Sequence, residues 1–497
     1  MVAVPGQTAV TSVPKIDHRG VPMVEHIRSL RQRDVTTYLS IGHKLGIAAD
    51  PDINTLLGHE LFASNIWLNG DGYHAALLAA EQLGADAWGA DRSFYLVDGS
   101  SSGNHAFFLA ALKPGDKVIV TRDLHWSMLV SIILTGANPI YVTPRLHDEL
   151  DVGLGIDPES VKAAVAMHPD AALIAVVSPS FCGVASDIAS IAAIAHARDI
   201  PLYVDEAWGP HFRFHPALPL SAIESGADAV VGSVHKLLPA VSQGSVLHVQ
   251  STRLDIGRIE TAVRMMQTTS PLLPIVATID AARRQMALSG EFLLGRAIEL
   301  AKQLRARVAA IDGIDLIDAI RLGLPSHFVD PLKLVFDVHQ LGMTGFEVER
   351  ILNERYDIAI ELSDFRGIIA NLNCGDSQES VDRLVGALVE ISQRDREVTG
   401  RDERGARSSG SAVAISSQVM TPRDAYFAPS RSVELDRAEG EIAAELVTPY
   451  PPGIPVLAPG ELITREKIDY LIDSGRQGRG NYGASGAAPQ MIDIVIR

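Results

Sequence analysis

The chain has 497 residues, and its 43 Lys and Arg against 60 Asp and Glu give a formal net charge of −17. At roughly 150 residues per domain this length allows about three domains, and 47% hydrophobic with 21% charged residues is the composition of a folded globular protein. The acidic balance disfavours a nucleic-acid partner, which requires a basic stripe, but a local pocket for a small molecule can differ in sign from the whole surface.

The two cysteines, Cys182 and Cys374, form neither a CxxC motif nor a metal-ligand spacing. This excludes a disulfide framework and fits a reducing compartment. The N-terminal stretch MVAVPGQTAVTSVPKIDHRG has no basic region followed by an apolar one, as a signal peptide would. The apolar runs fall short of the ~20 residues of a membrane span. We therefore expect a soluble cytoplasmic protein with no membrane partner.

After an N-terminal segment of residues 1–45, residues 46–274 alternate short β-branched or aromatic runs with helix-like stretches. Such alternation predicts βαβ units and a mostly parallel sheet covered on both faces. The runs are apolar throughout, as expected for strands that are buried on both sides. We predict one α/β domain whose strands are Phe94–Val97, Lys117–Val120, Pro139–Val142, Ala172–Val177, Pro201–Val204, Ala229–Gly232 and Val246–Val249.

Beyond this domain the pattern changes. A long helical stretch, Ile275–Ile311, leads to strand-like and helix-like segments, which predicts a smaller α+β domain over residues 275–393. Residues 394–414 are charged and rich in Gly and Ser, as in a solvated linker. Residues 415–497 then form a separate C-terminal domain.

Ligands of open α/β sheets bind outside the carboxyl ends of the strands, so the residues that follow each strand are candidates for a site. Each of them also has a simple structural explanation. Gly99–Asn104 has the composition of a flexible linker, and Asp205 could cap a helix. Lys236 could lie on the surface, and His125 could be a packed or capping histidine.

His211 and His215 stand four residues apart, a spacing that can bind zinc on a helix. The segment follows a strand-end loop, and the sequence shows no third ligand. We predict no metal site here.

Taken together, the strand-end residues match one cofactor. A lysine at a strand end can form a Schiff base with an aldehyde, and a carboxylate from a neighbouring strand can keep a pyridine nitrogen protonated. A Ser-rich helix start can bind phosphate. These demands are those of pyridoxal 5′-phosphate, and Asp205 precedes Lys236 by about one βα unit, so adjacent strand ends can present both.

At this point the chain resembles the bacterial ornithine/lysine/arginine decarboxylases. The resemblance implies an aspartate-aminotransferase-like (fold type I) domain that binds pyridoxal phosphate, with a mostly parallel sheet, a smaller α+β domain and a C-terminal decarboxylase domain. Without an extra N-terminal receiver-like domain, the chain is similar to the shorter, wingless arginine decarboxylase-like branch. The motifs that carry the resemblance are FYLVDGSSSGNHA, TRDLHWSM, VDEAWGPHFRFHPALPLSAIESGADAVVGSVHKLLPAVSQGSVLHV, QTTSP and PYPPGIPVLAPGE.

The resemblance implies a role for four residues in catalysis. Lys236 would bind the cofactor covalently, with His235 beside it. Asp205 would pair with the pyridinium nitrogen, and His125 would stack on the ring. The remaining positions are implied to surround the cofactor or the substrate: the phosphate ligands Ser100, Ser101, Ser102 and Ser233; the pocket residues Ala207 and Trp208; Thr268 or Thr269 reaching the phosphate across a dimer interface; and, toward the substrate, Glu461 and Trp126, the latter at a position where the family usually has lysine.

The expected reaction is decarboxylation of a basic L-amino acid to its amine and CO2, as in polyamine biosynthesis, with arginine ahead of lysine and ornithine. Two alternatives remain open. The same cofactor could serve aminotransfer or oxidation, which would release a keto acid or peroxide, or the chain could be a non-enzymatic binding protein. Because fold type I sites are shared between subunits, we expect a homodimer or a higher even-numbered homo-oligomer.

Overall fold

The computed structural model describes residues 16–32, 50–52, 71–147, 149–150, 152–394, 416–450, 454–476, 480–482 and 491–496. Most of the N-terminal segment and residues 395–414 of the expected linker lie outside this part of the chain. Among the described helices, none is long and apolar enough to cross a membrane.

A seven-stranded sheet forms the centre of the molecule, in the order β1-β7-β6-β5-β4-β2-β3. Strands β2 to β6 pair in parallel, and β7 runs antiparallel to both of its neighbours. The mostly parallel α/β sheet is confirmed, and each predicted run became a strand with only small differences at its ends. The strands are β1 Arg92–Leu96, β2 Lys117–Thr121, β3 Asn138–Val142, β4 Leu173–Val177, β5 Leu202–Asp205, β6 Ala229–Gly232 and β7 Ser245–Val249.

Helices cover both faces of this sheet, which is why its strands are apolar throughout. Val120 and Tyr203 face one core, whereas their neighbours Ile119 and Val204 face the other. Alternate side chains of a strand point to opposite faces, so both faces are buried. The helices are α1 Pro22–Arg31, α2 Asp71–Trp88, α3 Gly99–Ala111, α4 Trp126–Thr135, α5 Pro158–Met167, α6 Ile188–His196, α7 Val234–Leu237, α8 Ile256–Met266 and α9 Leu273–Val308.

A second, antiparallel sheet has the order β10-β11-β9-β8. Helix α9 matches the predicted helical stretch and spans both sheets, since its residues share one core with residues of each. The expected domain boundary at residue 274 lies at the start of this helix, and the division into domains stays a prediction. The elements are β8 Asp315–Ile317, β9 Lys333–Asp337, β10 Leu362–Ser363, β11 Gly367–Asn371, α10 Gly345–Tyr356 and α11 Gln378–Arg394.

The C-terminal part has its own small core, which includes Leu457, Ile468 and Ile494. It attaches to helix α4, which covers the main sheet, through Arg423, whose Nη1 donates to the Leu134 carbonyl at 2.7 Å. Its elements are α12 Pro422–Phe427, β12 Ser430–Glu434, β13 Thr448–Tyr450, α13 Arg465–Arg476, β14 Gly480–Tyr482 and β15 Met491–Val495.

Candidate active site

Asp205 ends β5 with its carboxylate buried and held in one orientation. One oxygen accepts from Asn104 Nδ2 at 2.9 Å, and the other accepts from the Ala207 backbone N–H at 3.1 Å. Asn104 is itself oriented, because the Tyr203 hydroxyl donates to its Oδ1 at 2.6 Å and its Nδ2 also donates to Ser127 Oγ at 2.8 Å. The carboxylate is therefore fixed before any ligand arrives.

Lys236 lies on α7, the short helix that follows β6. Its Nζ is 3.8 Å from the centre of the Trp208 ring. Burial lowers the pKa of Lys236, while the nearby carboxylates of Asp205 and Glu361 oppose this shift. A lowered pKa raises the fraction of neutral amine, which is the nucleophilic form.

The N-terminus of α3 is free to bind an anion. Asp98 stands at the N-cap position without capping the helix, because its carboxylate accepts the Thr268 backbone N–H at 2.9 Å. Gly99 has a φ of +74°, and a Cβ added to it would meet no atom within 4 Å. Ser100 Oγ and Ser233 Oγ are 2.7 Å apart beside this open space. Exposed N–H groups and hydroxyls at a helix start are a phosphate-binding arrangement.

The other predicted phosphate residues lie on or near the same helix. Ser102 is buried and its hydroxyl donates to the Gly99 carbonyl at 2.8 Å, while Ser101 is half-buried. Thr268 and Thr269 are exposed, and Thr268 lies beside α3 of its own chain through the Asp98 bond. Their contribution to the phosphate site of a partner stays a prediction.

The two histidines predicted to act in catalysis lie at helix starts. His125 caps α4: its Nδ1 accepts the Ser127 backbone N–H at 3.2 Å and lies 2.7 Å from Ser127 Oγ. His235 precedes Lys236 on α7, and burial lowers its pKa. Trp126, the first residue of α4, is 44% exposed.

Glu461 is not accessible in the structure. It is fully buried, and its two carboxylate oxygens contact Arg122 Nη1 at 2.5 Å and Arg122 Nη2 at 2.9 Å. Lys467 Nζ lies 3.1 Å from the second oxygen. A carboxylate that is buried and paired in this way joins the C-terminal part to the end of β2. This corrects the expectation that Glu461 lines the substrate entrance.

Two residues at the site were missed in the sequence. Asn104 belongs to a stretch that has the composition of a linker, although its place just before the apolar helical run AFFLAA indicates that its side chain could be buried. Lys333 begins β9 in the run LKLVFDV, whose apolar residues define the strand. Its Nζ lies 3.5 Å from the centre of the Trp208 ring, so two lysines meet the same indole.

The residues at this sheet edge fit pyridoxal 5′-phosphate. The buried, oriented carboxylate of Asp205 suits a protonated pyridine nitrogen. The amine of Lys236 suits the aldehyde, and the uncapped start of α3 with its open space suits the phosphate. The three groups follow three different strands, and the fold brings them together at one edge of the sheet.

Comparison with curated proteins gives relatives that cover nearly the whole chain. The chain is 37% identical over 481 residues to the arginine decarboxylase of Bacillus subtilis, which covers 95% of this chain and 97% of that protein. It is 34% identical over 479 residues to the arginine decarboxylase of Bacillus anthracis, with 95% and 96% covered.

Among solved structures, the lysine decarboxylase LdcF of Francisella novicida superposes with a TM-score of 0.80 at 20% identity, covering 96% of this chain and 81% of that one. The constitutive lysine decarboxylase of Escherichia coli gives the same TM-score and identity, with 96% and 82% covered. These likenesses confirm the fold. The family model for the Orn/Lys/Arg decarboxylase major domain matches residues 42–380, and that for the C-terminal domain matches residues 409–477. The chain belongs to the Orn/Lys/Arg decarboxylase family.

Proposed function

We propose that this protein decarboxylates L-arginine to agmatine and CO2 with pyridoxal phosphate as cofactor. The observation that carries the proposal is the convergence of Lys236, Asp205 and the uncapped start of α3 at one sheet edge. Identity to arginine decarboxylases over nearly the whole chain favours arginine over the other basic amino acids.

Each residue at the edge has a defined task. Lys236 would hold the cofactor aldehyde through its amine, and Asp205 would keep a proton on the ring nitrogen because a buried carboxylate stabilises a cation beside it. Bound pyridoxal phosphate supplies an electron-accepting ring that takes up the charge left on Cα when CO2 departs. Asn104 keeps the Asp205 carboxylate in place through the 2.9 Å hydrogen bond.

The surrounding residues bind and enclose the cofactor. We assign the phosphate to the backbone N–H groups at the start of α3 and to nearby hydroxyls, and the ring to the residues that flank Asp205 and cap α4. We assign the proton that replaces CO2 at Cα to His235 or to its neighbour Lys236. The assigned residues are Ser100, Ser101, Ser102 and Ser233 for the phosphate, and Ala207, Trp208 and His125 for the ring.

We further propose a homodimer in which Thr268 or Thr269 of each chain reaches the phosphate of the other. Both threonines are exposed and follow α8, next to the start of α3. We assign the protein to the cytoplasm because Cys182 and Cys374 are both free thiols.

The contacts of two arginines disfavour an aminotransferase, which needs an arginine for the α-carboxylates of its two substrates. The Arg366 guanidinium lies 2.7 and 2.8 Å from Asp337 Oδ2 and donates to the Glu149 carbonyl at 2.8 Å. Arg264 is 70% exposed and pairs with Glu260 on the surface. Both guanidinium groups are thus engaged elsewhere.

The test is product analysis. The purified protein with pyridoxal phosphate is incubated separately with arginine, lysine and ornithine, and the amines are identified by mass spectrometry. We expect agmatine and CO2 from arginine. K236A should lose both the product and the absorbance of the covalently bound cofactor, whereas K117A, which removes a surface ion pair with Asp170, should retain both.

A keto acid or peroxide in place of CO2 would contradict decarboxylation. Cadaverine or putrescine as the main product would instead retain the reaction and change the substrate.

A further inference from the structure

Lys333 is a buried lysine without a hydrogen-bond partner for its ammonium group among the described residues. It is 1% exposed, and its Nζ meets the face of Trp208 at 3.5 Å from the ring centre. Lys236 Nζ meets the same ring at 3.8 Å. The unpaired cation therefore lies at the reaction centre, although it belongs to the other sheet.

The backbone around Lys333 is held rigidly. Arg305 of α9 donates to the Lys333 carbonyl at 2.9 Å and to the Pro331 carbonyl at 3.1 Å. Gly183, in the loop after β4, packs so tightly that an added Cβ would lie 2.6 Å from Lys333 Cγ. Both the main chain and the stem of Lys333 are thus fixed, so its ammonium group is aimed at Trp208.

The buried carboxylate of Asp330, whose charge acts on Lys333, already has two partners. Asp330 accepts from the Leu332 N–H at 2.9 Å through Oδ1, and its Oδ2 lies 3.0 Å from His211 Nε2. Burial lowers the pKa of Lys333 to about 8, with Lys236 adding to the shift and Asp330, Glu361 and Cys182 opposing it. A cation–π contact compensates only part of the cost of burying a charge. The Lys333 ammonium group is therefore positioned to bind an anionic group of a ligand.

We propose that Lys333 binds the α-carboxylate of the amino-acid substrate. The inference rests on the proposed function, because it takes Lys236 as the residue that receives the substrate. A basic amino acid carries one anionic group, its α-carboxylate, and its cationic far end is repelled by the ammonium group of Lys333. Lys333 therefore orients the substrate with its carboxylate toward Trp208 and its far end away from it.

Binding by Lys333 is compatible with loss of CO2. The carboxylate exchanges water for one ammonium group that lies against an indole ring, so it enters a poorly solvated position. Removing water from a carboxylate favours its departure as neutral CO2. Arg366 and Arg305 do not compete for this role, because their guanidinium groups are bound to Asp337 and to backbone carbonyls.

The test compares arginine with agmatine, which is the same molecule without the carboxylate. Binding is read before turnover, by stopped-flow, from the absorbance change of the bound cofactor. In K333M, which keeps the stem and removes the charge, we expect the affinity for arginine to fall about tenfold or more while that for agmatine stays within about twofold. K333R, which keeps the charge, should recover part of the affinity for arginine.

A matched control is K467M. Lys467 is equally buried, but its Nζ pairs with Glu461 away from Trp208, so the ratio of the two affinities should not change. Equal losses for both ligands in K333M, or no loss for arginine, would overturn the assignment of Lys333. The proposed function fails separately, if the wild-type protein forms no agmatine.

Discussion

Lys333 and Lys467 are equally buried, but their ammonium groups have different contacts. Each is 1% exposed, and burial lowers the pKa of each to about 8. Lys467 has Glu461 at 3.1 Å and the Val456 carbonyl at 2.5 Å, whereas Lys333 has the face of an indole. Lysine is rarely buried without a partner. Lys333 therefore lowers the stability of the fold, as expected for a residue kept for function.

The free energy lost by burying the charged amine of Lys333 depends on pH, so the stability of the protein should depend on pH as well. Below about pH 8 the amine is protonated in both the folded and the unfolded state, so the folded protein bears the full cost. Between pH 8 and the unfolded pKa of 10.5 the folded state releases its proton first, and the cost disappears. Without substrate, K333M should unfold with a free energy up to about 3 kcal/mol higher than wild type at pH 7.

The difference in the free energy of unfolding between K333M and wild type should decrease as the pH is raised through 9. Urea unfolding at several pH values measures it. K117A, which removes only a surface ion pair with Asp170, is the control and should change the free energy of unfolding by less than about 1 kcal/mol at any of these pH values. A K333M protein that is less stable than wild type at pH 7 would contradict the account.

At the scale of elements, the position of α3 depends on one close contact. A Cβ added to Gly103 would lie 2.7 Å from both Leu96 Cδ1 and Val231 Cγ2. The helix therefore rests directly on β1 and β6. Because this contact sets the height of the helix start above the sheet, it also sets the position of the proposed phosphate site.

G103A should push α3 away from the sheet. We expect a destabilisation of about 1–3 kcal/mol and a weaker affinity for pyridoxal phosphate, measured by thermal unfolding and by cofactor titration. G386A in α11 is the control, because its added Cβ meets no atom within 4 Å and alanine favours a helix by up to about 1 kcal/mol. If the cofactor affinity of G103A were unchanged, the height of α3 above the sheet would not determine phosphate binding.

Elements were easier to predict than the contacts between them. The strands of the main sheet are apolar on both faces, and that property is visible in a local stretch such as Ala229–Gly232, which is β6 to the residue. The contact of Lys333 with Trp208 joins two sheets, so no local pattern reports it. The pairing of Glu461 with Arg122 likewise depends on how the C-terminal part docks, and only the resemblance suggested a position for Glu461.

At the scale of the whole molecule, the C-terminal part is joined to the main sheet by a buried charge cluster. Glu461 lies between Arg122, which follows β2, and Lys467 of α13. E461A would leave two buried cations without their carboxylate, and we expect a loss of about 3–5 kcal/mol in the free energy of unfolding.

R465A is the matched control, since the Arg465–Asp469 pair is exposed and should contribute less than about 1 kcal/mol. Urea unfolding measures both changes, and limited proteolysis reports whether the C-terminal part is released. Equal effects of the two substitutions would mean that the buried cluster does not hold the parts together.

Helix α9 connects the two lysines at Trp208 over a long distance. Thr278, near its start, accepts the Val241 N–H just after α7, and Arg305, near its end, donates to the Lys333 carbonyl. These two residues are about 40 Å apart along the helix axis at 1.5 Å per residue. The helix thus helps to set the distance between the segments that carry Lys236 and Lys333. A substitution that bends α9 far from Trp208 would therefore change the distance between the two amines, and with it the activity, without altering any side chain at Trp208.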